Sequence, residues 1–501
     1  MCVPFPTGQR IMAKCRKTPD EFDCNRRYSA CNDTRIAQIS PVNFDPFLAE
    51  HRFGYGPSTT VAPPENVADM VSELGRADHA RSAFEIPPFQ VLQDALALRI
   101  RFNSYARKHP DTAEGKEALK KARGILRDMR KEHSHWFVQT QLRRITATHG
   151  MRERLTAFWA NHFTARGGGG LLRFASPLYV DAAVRPHVTG RFAELLTACV
   201  THPLMLDYLD QNTSVGPNSR VAKRRNNRRG LNENLAREVL ELHTLGVDGP
   251  YDQYDVRELA KLFTGLSATR HYGFKFRPAM TEPGAETVLG KSYGADGGLT
   301  TIRAVLNDLA RHPATAAHIA RKLAVHFVSD TPSGDLIDHI AGAYLRSDGD
   351  LMACYAALLE HPEAWQTKVT NMRPPDEFVS AALRSLGVTA QRLQQIDLAM
   401  VRKIFFRPLQ LMGQPWLAPA GPDGFGEADS VWATPQGISA RLDWAVTAPA
   451  QLMADLPDPR DFVHSTLGGR VPEAVQFAAN TAETRAVAIG LILASPRFQR
   501  R

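Results

Sequence analysis

The sequence predicts a mainly α protein: one large multi-helix domain with long irregular loops and at most a small β-hairpin. Three observations carry this. Apolar residues recur with the 3.6-residue period of a helix through most of the chain, glycines and prolines punctuate that pattern where helices end, and strand-like alternation is scarce. Residues 1–43 carry Pro, Arg and Cys without sustained period and read as a poorly ordered N-terminal extension. The helical domain spans 44–501, with periodic segments at 67–78, 86–109, 114–149, 151–166, 186–201, 233–245 and 253–264. It continues at 301–311, 314–328, 335–346, 350–360, 376–386, 436–455 and 482–495. Segments 270–277 and 285–290 are the best candidates for one small hairpin. Gly246 and Gly265 stand just past periodic segments, where a left-handed residue closes a helix. His-Pro recurs at 109–110, 202–203, 312–313 and 361–362 without a fixed period, which reads as turn chemistry and not as a repeat. Irregular stretches at 166–184, 211–231, 266–300 and 408–435 are long enough to be functional or mobile.

Composition sets the outer bounds. The chain has 501 residues, 43% hydrophobic and 23% charged, so it can bury a sizeable core. An excess of 61 basic over 52 acidic residues gives +9, a modest surplus for this length that does not make nucleic acid the expected partner. Cys2, Cys15, Cys24 and Cys31 match no zinc spacing and read as free thiols on the extension. The longest apolar run, at 487–497, is too short to span a membrane, and the first residues lack the apolar stretch of a secretory signal. Taken literally, that places the chain in the cytoplasm.

The segment "NENLAREVLELHTLGVDG" (232–249) raises the functional question. At ~100° per residue, Leu235, Ala236, Val239, Leu240 and Leu242 form one apolar face, and His243 falls near its middle. His162 lies likewise on the apolar face of "MRERLTAFWANHFT". His187 follows Arg185-Pro186 at an expected helix start, where the dipole favours the neutral imidazole. Inward histidines need partners, because an unpaired buried polar group costs about 1–3 kcal/mol. These residues therefore define a candidate pocket: His162, His187, His243, Glu238 and Arg237 as catalytic groups, and the first four without Arg237 as a divalent-metal site. Asn161, Asp210 and Asn234 are their candidate supporting partners. The spacing fits neither a zincin nor a di-iron bundle, so a metal requires separate helices to converge. The blander reading is that each histidine is satisfied by a backbone carbonyl or carboxylate.

Two loops add candidates. "GQPWLAPAGPDGFGEADSVW" (413–432) offers Trp416, Phe425 and Trp432 as a pocket wall. "AKRRNNRR" (222–229) is a compact basic loop whose Lys223, Arg224, Arg225, Arg228 and Arg229 are candidates for partner binding.

The words "HRFGYGPS", "FWANHFT", "THPLMLDYLDQNTSVGPNS", "LNENLAREVLELHTLGVDG", "HPATAAHIARKLAVHFV", "GQPW" and "LASPRFQRR" resemble, in order over about residues 45–501, the bacterial domain of unknown function 1800 family. The resemblance implies a large helical protein and no defined activity. Relatives often look exported, which makes the periplasm the alternative location. Their genes often neighbour those of the domain of unknown function 1501 family, which implies such a protein as a partner. This chain departs from many relatives in carrying Thr281-Glu282, in place of His-Asp, ahead of "ETVLG". The function these readings imply is acid–base or metal-assisted chemistry in a His/Glu pocket, on a cell-envelope or polymeric substrate. The alternative is a non-enzymatic scaffold whose inward polar residues pin helices together.

Overall fold

A computed structural model describes residues 42–224, 229–269, 271–294, 298–469 and 471–501. Up to Pro41, the expected N-terminal extension lies outside them, as do its four cysteines; Cys199 and Cys354 are buried free thiols. Helices dominate the described chain. The periodic segments become the helices Val67–Gly75, Gln90–Lys108, Ala113–Thr146, Met151–His162, Phe192–Val200, Gln253–Leu262 and Leu299–Arg311. They continue as Pro313–Phe327, Gly334–Arg346, Leu351–Glu360, Pro375–Ser385, Pro435–Leu452 and Arg485–Ala494.

Local chemistry explains the boundaries. Three of the four His-Pro pairs start helices: the imidazole Nδ1 of His202, His312 and His361 accepts from the backbone N–H two residues on, at 3.2, 3.1 and 3.3 Å. The proline fills the first turn, where its missing N–H costs nothing, and the histidine satisfies one of the orphan donors there. His109 instead closes the helix Gln90–Lys108. Asp350 caps Leu351–Glu360 by accepting from Met352 N at 2.9 Å. Gly246 and Gly265 adopt φ of 89° and 95°, the conformation a helix-closing glycine supplies without strain.

Strand structure departs from the expected single hairpin. Phe274–Phe276 pairs with Leu266–Ala268, and Glu286–Val288 pairs with Lys291–Tyr293, so the segments 270–277 and 285–290 belong to two separate two-stranded ribbons. Each finds its antiparallel neighbour across the nearest turn, the shortest closure available. Three further corrections concern helices. Helix begins at Gln90 and Phe192, not at 86 and 186, and the segment 233–245 is α-helical only over Asn234–Glu238 before widening into a π-turn over Val239–Thr244.

The core joins these elements without a break from Leu48 to Phe498. Pro313–Phe327 packs against Gly334–Arg346, which packs on Leu351–Glu360. Pro313–Phe327 also contacts the π-turn, so one of its faces looks onto the helix that carries His243.

Replacing the capping imidazole should cost about 1 kcal/mol per site. His312→Ala is expected to lower the urea unfolding free energy by that amount, and His312→Asn, which keeps an acceptor, to recover most of it.

Candidate functional site

The π-turn explains how the histidines meet. Its i→i+5 geometry is seen in Leu245 N donating to Leu240 O at 2.9 Å and Thr244 Oγ1 donating to Val239 O at 2.6 Å. Being the end of a helix, it leaves carbonyls without intrahelical donors. Imidazoles from two other helices supply them. His162 Nε2–H donates to the carbonyl of His243 at 3.2 Å, and His318 Nε2–H donates to the carbonyl of Leu242 at 3.2 Å. The His162 ring lies 5.9 Å from that of His243 and 6.2 Å from that of His318. Nδ1 of both His162 and His243 is buried without a hydrogen-bond partner.

Burial, helped by the Lys322 ammonium, holds all three rings neutral. It pushes His243 down to about 3 and His318 to about 4, and His162 well below its ordinary value. Lys322 is itself lowered by burial, against the opposing pull of Glu427 and Asp423.

His318, Lys322 and His326 follow one another at four-residue steps along Pro313–Phe327, which puts them on one face. The polar line therefore runs on past the histidine cluster. At its far end His326 Nδ1 meets Glu427 Oε2 at 2.9 Å. The other ring nitrogen, Nε2, accepts from Arg154 Nη2 at 3.2 Å and Arg501 Nη1 at 3.4 Å. Two guanidinium donors on Nε2 assign the proton to Nδ1, directed at the carboxylate. Burial opposes the Glu427 charge, but His326, Lys322 and Arg154 outweigh it and hold its pKa below the usual carboxylate value. Behind this pair Glu377 receives Arg154, Arg501 at 3.2 Å and Arg373 at 3.7 Å. Arg373 Nη2 in turn donates to His51 Nδ1 at 2.6 Å.

A cavity of about 120 Å³ opens beside His326 and Glu427. Arg154, Asn161, Trp416, Phe425 and Trp432 line it, and so do the ion pairs Arg143–Asp181 at 2.6 Å and Arg144–Asp376 at 2.7 Å. That volume holds several waters or a small polar ligand. Three buried donors on its walls, Arg143 Nη2, Trp416 Nε1 and Trp432 Nε1, have no protein partner. The aromatic wall is fastened to the helix Met151–His162. Asn161 donates from Nδ2 to Phe425 O at 2.9 Å and accepts from Phe425 N at 2.7 Å. Gly424, with φ of 79°, permits this, since a Cβ there would lie 2.5 Å from the Asn161 carbonyl oxygen.

The residues singled out in the sequence thus divide. His162 and His243 come together, and Asn161, Trp416, Phe425 and Trp432 line the cavity. His187 does not join them: it is half-buried in the short turn Arg185–His187, and its pKa is lowered by burial, with Glu194 opposing. The helix it was expected to start begins only at Phe192, so His187 is not at that helix's N-terminus. Glu238 faces other groups as well: burial, then Glu241 and Asp423, raise its pKa. Arg237 is turned outward, paired with Glu241 at 3.1 Å and Glu233 at 3.6 Å. The main-chain oxygen of Asp210 and the main-chain N–H of Asn234 are engaged within their own loop. The four-residue metal set is therefore not assembled, and among the described residues no three His, Cys, Asp or Glu side chains are grouped to hold a metal ion. His162 and His318 spend their Nε2–H groups on carbonyls of the π-turn, and the charged neighbours of Glu238 are Glu241, Asp423 and Arg237. In the basic loop Lys223, Arg224 and Arg229 are exposed, while Arg225 and Arg228 lie outside the described residues. Glu282, at the position of the family departure, is buried and accepts from Asn218 N at 2.8 Å and Asn218 Nδ2 at 2.5 Å, holding the preceding loop.

Sequence reasoning missed His318, Lys322, His326, Arg154 and Glu427. The spacing His-x₃-Lys-x₃-His inside an otherwise apolar helical segment was the available signal.

The fold and site define a large helical protein with a buried, charge-compensated polar line ending at an internal cavity. The family model described as "Protein of unknown function (DUF1800)" matches residues 49–500, and the chain belongs to this family. No curated protein and no solved structure matches it. No described helix is long and apolar enough to cross a membrane.

The neutral histidine cluster makes stability depend on pH. The unfolded chain takes up protons as pH falls below the ordinary histidine value of about 6.5, whereas folded His318 and His243 resist protonation until about 4 and about 3. Stability is thus fully present above that ordinary value and is lost on acidification through the interval, by ~1.4 kcal/mol per pH unit for each histidine. Denaturant midpoints measured between neutral and mildly acidic pH should fall steadily, and His318→Gln should make the fall shallower.

Proposed function

We propose that the protein is an enzyme and that the cavity beside His326 and Glu427 is its active site. The hydrogen bond from His326 Nδ1 to Glu427 at 2.9 Å, at the edge of a cavity with unpartnered buried donors, carries this reading. In it, Glu427 fixes the tautomer and supports the imidazolium. A ligand hydroxyl or bound water takes the place of the guanidinium N–H groups at His326 Nε2 and gives its proton there. Arg154, so displaced, and the free N–H groups of Trp416, Trp432 and Arg143 bind acceptor oxygens of the ligand. A small carboxylated or hydroxylated group, such as the end unit of a cell-envelope polymer, has the matching chemistry and size. The chemistry in this reading is acid–base at His326 and Glu427, without His162, His187, His243 or Glu238.

Turnover of a panel of model esters, amides and glycosides by the purified protein tests the reading. His326→Asn and Glu427→Gln should each cost on the order of 10²–10⁴-fold in kcat while circular dichroism stays unchanged. Undiminished turnover in both variants, or none by the wild type with any class, would overturn it.

For His162, His243 and His318 a structural role is favoured by one observation: two of them donate to main-chain carbonyls of the π-turn. His162→Ala should therefore lower the unfolding free energy by roughly 1–3 kcal/mol, read from urea unfolding, and leave kcat of the folded fraction within a few-fold of wild type.

A domain of unknown function 1501 protein is the partner we propose from the family resemblance, and co-purification of the tagged pair tests it. A cytoplasmic location belongs to the same reading, and cell fractionation decides between it and the periplasm.

A further inference from the structure

The charges that border the cavity are not equal in number. Four lining arginines stand in ion pairs: Arg143 with Asp181 at 2.6 Å, Arg144 with Asp376 at 2.7 Å, Arg185 with Glu153 at 2.5 Å, and Arg154 with Glu377. These pairs are extended from outside the lining. Arg81 also reaches Asp181 at 3.2 Å, Asp78 reaches Arg185 at 2.6 Å, and Arg373 and Arg501 join Arg154 at Glu377. Glu427, held against His326, completes the set. The ion-paired network around the cavity therefore holds seven guanidiniums and six carboxylates. Lys322 adds an ammonium near Glu427, and Asp423 offsets it.

That leaves a surplus of one positive charge. Water reaches it mainly at Arg81, whose side chain is 43% exposed, whereas the other six guanidiniums are at most 5% exposed. An unmatched charge in such an interior is costly. The unpartnered groups point the same way. Arg143 Nη2, Trp416 Nε1 and Trp432 Nε1 are all donors, and no equally buried acceptor on the lining side chains lacks a partner.

We infer that the cavity selects a carboxylate, and that this is the group of the substrate that enters it. The inference rests on the cavity being the substrate site proposed above and names the chemistry recognised there. A carboxylate brings the missing negative charge and accepts from several N–H groups, with no donor of its own to satisfy. An alcohol or an amide brings acceptors but leaves the surplus standing. An ammonium or amidinium brings neither, and a phosphate dianion overshoots. The volume of about 120 Å³ suits a group as small as a carboxyl end. A bond broken beside His326 therefore belongs to a molecule with a free carboxylate close to that bond.

Acetate, acetamide and acetamidinium share one planar shape and differ in charge, so they test the selection directly. The full chain with isotopically labelled tryptophan is titrated with each at constant ionic strength, and its six indole N–H resonances are followed. Acetate is expected to move the two resonances that Trp416→Phe and Trp432→Phe delete. It should do so at a concentration on the order of tenfold below that needed for acetamide, and acetamidinium should move neither. Arg81→Gln, at the exposed edge of the network, evens the charges. It should weaken acetate several-fold and leave acetamide unchanged, with the other indole resonances in place as proof of fold. Acetamide binding as tightly as acetate, inorganic phosphate binding more tightly, or acetate affinity untouched by Arg81→Gln would each overturn the inference. Acetate binding without turnover of any substrate would support it and sink the enzyme reading alone. Turnover of uncharged substrates with no response to acetate would sink this inference alone.

Discussion

Three guanidinium groups converge on one buried carboxylate. Arg154 from the helix Met151–His162, Arg373 from the segment ahead of Pro375–Ser385 and Arg501 from the last turn of the chain all meet Glu377. Taking any one of these ions from water alone would cost several kcal/mol, so the four are buried together or not at all. That condition ties three distant parts of the sequence to one point. Burial still leaves its mark: it lowers Arg373 to about 10 although Glu377 opposes the shift. Removing one partner leaves uncompensated charge in a low-dielectric interior, which is far more damaging than the worth of any single contact.

The polar line that starts from this point has two halves built on different principles. Around Glu377 and Glu427 the groups are charged and mutually compensated by arginines, with His326 hydrogen-bonded among them, and they border the cavity. Around His162, His243 and His318 the rings are neutral, and His162 and His318 spend their N–H groups on a helix end. Lys322 stands between, half-buried, pulled toward charge by Glu427 and Asp423 and away from it by burial. A cation in that position couples the halves: it adds to burial in keeping the imidazoles neutral on one side and helps keep Glu427 ionised on the other. The aromatic loop closes the cavity through Asn161, whose neighbour His162 belongs to the other half. Adjacent residues on one helix thus hold both structures in register.

Legibility followed the range of the interactions. The helix content was readable because apolar period, His-Pro starts and closing glycines are local, and each is decided within a few residues. His243 was legible as an inward residue, since its position on the apolar face survives the widening of the turn. Its chemical surroundings were not. A regular α-helix through 233–245 does not announce the π-turn over Val239–Thr244, and Glu238 has Glu241 and Asp423 as charged neighbours. His187 was drawn in by an expected helix start that begins five residues later. His326 and Glu427 escaped because they are 101 positions apart, and nothing near either residue records the other.

Sequence alone, then, determined the helical class, the order and approximate bounds of the helices, and the inward placement of His162 and His243. All of these follow from spacing along one element. Tertiary structure decided which polar groups share an interior, which carry charge there, and where space remains between them. Those depend on loop closure across hundreds of residues and on the demand that buried charge be neutralised, neither of which has a local period to read.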